Sequence, residues 1–288
     1  FAIFTTIGIV LSVLFEAMRF FRIVPPHEFL FGLDWSPQMA IRADQTGSSG
    51  AFGAVPVFAG TMLIALIAMI VAIPIGLLSA IYLSEYASER LRTVAKPLLE
   101  ILAGIPSIVL GFLGWLLVAP MVQAAGAPTG LTALTGAIIL AYMALPTIIS
   151  IAEDAIDAVP RGYRDGALAI GATRWQTTYR VVVPAARSGL VIAVMLGIGR
   201  AIGETMVVLM VTGNAPDMSL GPGMILQPVR TMTATIAAEM GEVAQGGTHY
   251  HVLFAVGILL FVVTFIVNAV ASLVVIKAGP RRGGRLMG

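Results

Sequence analysis

Residues 165–184 read DGALAIGATRWQTTYRVVVP, from Asp165 to Pro184, and they interrupt two strongly apolar stretches. The segment opens on an acid, holds Gly166 and Gly171, spaces two arginines and closes on proline. Pro160 suits a first helical turn, where its missing N–H costs little. The run from Arg161 to Ile170 continues that helix, and Gly171 suits a left-handed stop. Thr173 and Gln176 stand at the spacing of a capping box, which predicts a second short helix before Pro184. Local physics admits two readings of this helix–glycine–helix unit. It is either a compact knob facing a protein partner or an interfacial helix whose arginines face lipid phosphates.

The surroundings are those of a membrane protein. The chain has 288 residues, 58% hydrophobic and 11% charged, with a mean hydropathy of +0.95. Soluble domains carry about 25% charged residues. Six stretches approach the roughly 20 apolar residues needed to cross a bilayer: 1–23, 55–83, 98–119, 131–152, 189–212 and 252–276. The first resembles a signal-peptide core but has no small-residue cleavage site, so it is expected to span. The leading Phe1 suggests a trimmed terminus. Strand-type alternation is missing, and a spanning chain must be helical or a closed barrel. The expected fold is an all-α integral membrane bundle of six transmembrane helices. Pro74, Pro106 and Pro146 fall inside spans two to four, as packing kinks or as gating hinges.

Charge gives the orientation. Arg90, Arg92 and Lys96, then Arg161, Arg164, Arg174, Arg180 and Arg187, then Lys277, Arg281, Arg282 and Arg285 all fall on one side of this topology. The opposite loops, 24–54, 120–130 and 213–251, hold only Arg42 and Arg230, with Arg19 and Arg22 near the end of the first span. The positive-inside rule makes the basic side cytoplasmic. Both termini, the loop 153–188 and the tail 277–288 are then inside, and 24–54 is an outer loop, either a solvated connector or a docking surface.

The stretch 165–184 resembles the cytoplasmic signature of ABC importer permeases: E-A-A, three residues, G, nine residues, then I-x-L-P. Here these are Asp165, Gly166, Ala167, Gly171 and Val181–Val183 followed by Pro184, with Asp for Glu, Gly for the first Ala and valines for Ile and Leu. Wider text is similar to one branch of the family, the permease subunits of bacterial phosphate importers: EILAGIPSIVLG at 100–111, GIGRAIGETM at 197–206, TMTATIAAE at 231–239 and HYH at 249–251. The similarity runs from about Gly53 onward. It implies a six-helix permease of the type I (MetI-like) kind in a bacterial inner membrane, its transmembrane domain covering 55–276. It also implies that the segment from about Arg161 to Trp175 is a coupling helix seated in a cytoplasmic ATPase. The implied partners are a second related permease subunit, a pair of ATPases that use ATP and Mg, and a periplasmic or lipid-anchored phosphate-binding protein. No cofactor is expected on this chain itself.

Other functions find little support. Lys96 and Lys277 are the only lysines, and neither closes a G-x-x-x-x-G-K-[ST] phosphate loop. Gly197, Gly199 and Gly203 miss the dinucleotide fingerprint, and Gly199 with Gly203 reads as a small-xxx-small packing pair. With no cysteine there is no disulfide or thiolate metal site. His249 and His251 could share one face of a strand and bind a metal, yet no third ligand stands at a matching spacing. An intramembrane enzyme lacks a nucleophile here, and the Ser48 region (GSSG, 47–50) is loop-like. The fourteen methionines are packing filler. The rivals that remain are a permease for sulfate or molybdate and an ion-coupled transporter or channel.

Arg200 and Glu204 are the charges that matter, since both fall about halfway along the fifth predicted span. A central membrane charge costs roughly 2.5–3.5 kcal/mol on insertion scales, which marks a function and a partner. Their i, i+4 spacing predicts one helical face. The pair is either structural or lines a path in which Arg200 attracts an anion and Glu204 orients it or opposes its trapping. The resemblance favours the path.

Overall fold

In the computed structural model, which describes residues 2–37, 50–215 and 223–278, the chain is almost wholly helical. Six helical stretches are long and apolar enough to span: Ile3–Phe21, Val55–Glu85, Ser107–Ala124, Ala133–Asp157, Arg174–Gly203 and Thr248–Val275. Arg42, most of the GSSG run and Arg281, Arg282 and Arg285 lie outside the described residues. Contacts divide the chain into two units, one made of 1–68, 106–140 and 202–264, the other of 69–105, 141–201 and 265–288.

The first unit contains α1 (Ala2–Phe21), α2 (Pro26–Phe31) and a two-stranded antiparallel ribbon that pairs β1 (Trp35–Ser36) with β2 (Ala51–Phe52). Its core gathers Phe20, Phe29, Trp35, Phe52 and Met232 with Val252, Leu253 and Val256. Phe20 meets the rings of Phe29 and Phe52 edge-on, with centroids 5.5 and 5.6 Å apart, the geometry that aromatic quadrupoles favour. The two ends of the 24–54 segment are therefore packed structure rather than a solvated connector. Gly32 and Gly53 make this possible, because a Cβ on either would stand within 2.6 Å of the other's backbone.

The second unit is centred on Ile149, Ala152, Ile156, Val182, Leu190 and Ala193. Its close contacts use other glycines than the expected pair. A Cβ on Gly197 would meet Ile148 at 2.7 Å and one on Gly189 would meet Ala155 at 2.4 Å, whereas nothing lies within 4 Å of a Cβ at Gly199 or Gly203.

The third span differs from the sequence expectation at both ends. Residues 98–103 belong to α4 (Glu89–Ala103), which Ser88 caps by accepting from Leu91 N–H at 3.3 Å. Hydrophobicity merged α4 with the next span because its apolar face continues into IPSIVLG. The break falls at Gly104–Pro106, so Pro106 precedes α5 (Ser107–Leu113) instead of kinking a helix, while Pro74 and Pro146 do lie within α3 (Val55–Glu85) and α7 (Ala133–Asp157). After α5 the span continues through a π turn at Gly114–Val118 into α6 (Ala119–Ala124).

Candidate functional site

The signature segment folds as its local chemistry dictates. Following α7, α8 (Arg161–Ala169) ends in a Schellman motif: Ala172 N–H donates to Ala167 O at 3.1 Å, and Gly171 N–H to Leu168 O at 3.0 Å. Gly171 takes φ +87°, as a left-handed stop requires. Thr173 and Gln176 form both bonds of the capping box, at 3.2 and 2.9 Å, and start α9 (Arg174–Thr177). The expectation of a loop before the fifth span is corrected, because α9 runs through a π turn (Thr178–Val182) into α10 (Val183–Gly203) as one helical stretch. Pro184 lacks an N–H, and the π turn just before it is the local adjustment by which a helix absorbs such a gap.

This unit presents apolar side chains outward. Ile170 is 87% exposed, Tyr163 57% and Trp175 61%, and the Trp175 and Tyr179 rings stack with centroids 6.1 Å apart. Asp165, Gly166 and Gly171 are exposed while Ala167 is buried against the base. Arg164 fixes the unit from below. Its Nε and Nη2 donate to Glu85 Oε1 at 3.0 and 2.7 Å, and its guanidinium also donates to the carbonyls of Val159 at 2.6 Å and Ile156 at 2.9 Å. Those carbonyls lie at and just past the end of α7, so one side chain satisfies acceptors that a helix terminus leaves open and joins α3, α7 and α8.

A second charged group stands nearby in the same unit. Glu153, almost fully buried, has Arg92 Nη2 at 2.5 Å and Lys96 Nζ at 2.8 Å. Arg92 also pairs with Asp157, and Lys96 with Asp154 at 3.0 Å. The Lys96 ammonium is held above the usual lysine range, chiefly by its hydrogen bond with Glu153.

Arg200 and Glu204 differ from expectation. Arg200 stands in the last turn of α10, not mid-span. Glu204 lies past the helix end, so the i, i+4 geometry does not apply. Glycines at 199 and 203 weaken the helix there, each by about 1 kcal/mol relative to alanine. Glu204 Oε1 accepts the Val207 N–H at 3.3 Å as α11 (Met206–Val211) begins, and Glu204 O accepts from Thr233 Oγ1 at 2.7 Å. Arg200 Nε is buried and has no hydrogen-bond partner among the described residues.

The histidines also change role. His249 and His251 lie in the first turn of α13 (Thr248–Ala278), not on a strand. His251 Nδ1 is 2.9 Å from Glu16, and His249 Nε2 is 2.7 Å from Glu239 at the end of α12 (Met232–Glu239). Glu239 also accepts from Trp35 Nε1 at 3.2 Å and Arg230 Nη1 at 2.5 Å. No group of three metal-ligating side chains occurs among the described residues.

Residues 72–277 match the family model described as "Binding-protein-dependent transport system inner membrane component". The chain belongs to this family. As such a component it is a multi-pass membrane protein. It is 39% identical to the phosphate transport system permease protein PstC of Mesorhizobium japonicum, over 81% of this chain and 76% of that protein. It is 37% identical to the probable ABC transporter permease protein YqgH of Bacillus subtilis, over 84% and 75%. Two solved structures share the fold. One is an inward-facing MetNI methionine ABC transporter (TM-score 0.57, 21% identity, 79% of this chain and 94% of that one). The other is a bacterial alginate ABC transporter in complex with an alginate-bound periplasmic protein (TM-score 0.61, 15% identity, 94% and 89%). In this permease component the groups that sequence reading overlooked are Glu85 with Arg164, Glu153 with Arg92 and Lys96, and Glu239. The available signal was the acids at the ends of apolar runs (LSE at 83–85, AED at 152–154), which the census of basic residues ignored.

Proposed function

We propose that this chain is the PstC-type permease subunit of an ATP-driven importer of inorganic phosphate. It forms the translocation path with a second, related permease. A pair of cytoplasmic ATPases binds and hydrolyses ATP with Mg, and a phosphate-binding protein delivers the anion from outside. Both termini face the cytoplasm. The observation that carries the reading is the likeness to named phosphate permeases, which extends over about four-fifths of the chain. Two features of the molecule support it. The exposed unit of Tyr163, Ile170 and Trp175 is a surface suited to a cleft in another protein. The Arg200 Nε, buried with no acceptor among the described residues, would be costly to keep unless something supplies one during the cycle, and an oxyanion would do so.

The test is uptake of radiolabelled phosphate by vesicles that carry the assembled complex. Phosphate uptake that requires ATP and is unaffected by excess sulfate or molybdate is the expected result. Uptake of sulfate or molybdate in its place would transfer the chain to another oxyanion importer. Uptake driven by an ion gradient without ATP would remove it from the ATP-driven class. Orientation is checked separately, since the cysteine-free sequence allows a single cysteine at Ser188. Labelling of that cysteine by an impermeant reagent from outside intact cells would reverse the assigned sidedness.

A further inference from the structure

We infer that a groove on the fifth spanning stretch holds an anionic phospholipid of the leaflet that faces the signature segment. The groove has a volume of about 580 Å³ and is lined by Leu77 of α3 together with Tyr179, Arg180, Arg187, Leu190 and Val194. Its polarity is graded along one helix. Arg180 and Arg187 stand near one end, seven residues and therefore two turns apart on one face. Val183 and Pro184 lie between them, and Leu190, Val191 and Val194 continue toward the membrane interior.

Length sets the depth. Residues 174–203 are 30 helical residues, about 45 Å of helix against a hydrocarbon core of about 30 Å. The excess places Tyr179 and Arg180 at headgroup level, with Arg187 able to reach it by snorkelling. The apolar part then lies at acyl-chain depth. A phosphodiester matches the two guanidiniums by charge. Pockets of basic residues between spanning helices on the cytoplasmic side suit anionic headgroups. The π turn before Pro184 contributes shape, since it widens the helix where the headgroup would sit.

The experiment is native mass spectrometry of the intact complex, exchanged into micelles with either phosphatidylglycerol or phosphatidylcholine. Wild type is expected to retain phosphatidylglycerol in preference to phosphatidylcholine. Arg180→Gln with Arg187→Gln should weaken that retention about thirtyfold, corresponding to about 1 kcal/mol per arginine. Arg180→Lys should retain most of it. Val191→Trp, which fills the apolar part and leaves both charges, should also reduce retention. Equal retention of the two lipids by wild type, or unchanged retention in both the double arginine and Val191→Trp variants, would overturn the site. So would a cysteine at Val191 that cross-links quantitatively to the second permease in membranes, since the groove would then be a protein interface.

Discussion

Arg164 reaches across 79 residues of sequence to place its Nε and Nη2 on one oxygen of Glu85, while the same guanidinium takes the carbonyls of Ile156 and Val159. Both side chains are largely shielded from water, with relative exposures of 20% and 12%. Arg164→Ala should therefore cost about 3 kcal/mol, the low end of the cost of breaking a buried pair. Arg164→Lys keeps the charge but cannot make the forked contact, and is expected to recover less than half of the loss. In the assembled complex both variants should bind the ATPase normally yet hydrolyse ATP with reduced transport. A double-mutant cycle with Glu85→Gln measures the coupling, and an interaction energy near zero would show the contact to be incidental.

Gly171→Val adds a branched side chain at φ +87°. No atom stands within 4 Å of the new Cβ, so the cost is backbone strain alone, about 1–2 kcal/mol. Gly171→Asn, which tolerates the left-handed region, should be close to wild type. The valine variant is expected to assemble poorly or to uncouple hydrolysis from uptake. Normal transport in it would separate the Schellman stop from coupling.

Arg200 gives a test of the path. Arg200→Gln should leave the protein inserted and assembled while phosphate uptake falls steeply, and Arg200→Lys should recover only part of it. Because Glu204 lies beyond α10 and accepts the Val207 N–H, Glu204→Gln keeps an acceptor there and should not strand Arg200. The Arg200→Gln, Glu204→Gln double variant is accordingly expected to assemble and remain transport-deficient. Full uptake by that double variant would rule Arg200 out of the path.

The Lys96–Glu153 contact has a pH signature. The folded ammonium is raised above the ordinary lysine value of 10.5. Its stabilisation is thus complete below that value and is lost as pH rises through the folded one. With about a third of the lysine side chain exposed, screening limits the contribution to about 1 kcal/mol or less. The difference in stability between wild type and Lys96→Gln should be constant from pH 7 to about 9 and shrink above about 10.5. Thermal melts of the detergent-solubilised protein across that range measure it, and a difference independent of pH would assign the effect to packing.

Glu239 is the acceptor on which Trp35, Arg230 and His249 converge. Glu239→Ala should destabilise the first unit by about 3–5 kcal/mol, because it leaves a largely buried guanidinium unpaired. Glu239→Gln retains an acceptor oxygen and should lose less. Hydrogen exchange at Trp35 and Phe52 reports the effect locally, and protection that survives the alanine substitution would show the ribbon to be held by its aromatic core alone.

The sequence by itself determined what near neighbours and composition control. Six spans followed from apolar length. The left-handed turn at Gly171 followed from glycine's freedom, and the Thr173–Gln176 capping box from residues three apart. The permease class came from the resemblance of the text between Asp165 and Pro184 to the importer signature, since local physics there admits two readings. Tertiary structure decided where apolar runs divide, because hydropathy cannot tell the apolar face of α4 from the start of the next span. It also showed that α10 stops at Gly203, which ended the helical pairing expected of Arg200 and Glu204. Above all it chose the partners of charge. Glu85 meets Arg164 over 79 residues and Glu239 meets Trp35 over 204, and no periodicity encodes such distances. In a low-dielectric interior a charge must be paired or shifted, so which acid meets which base is settled only when the helices pack.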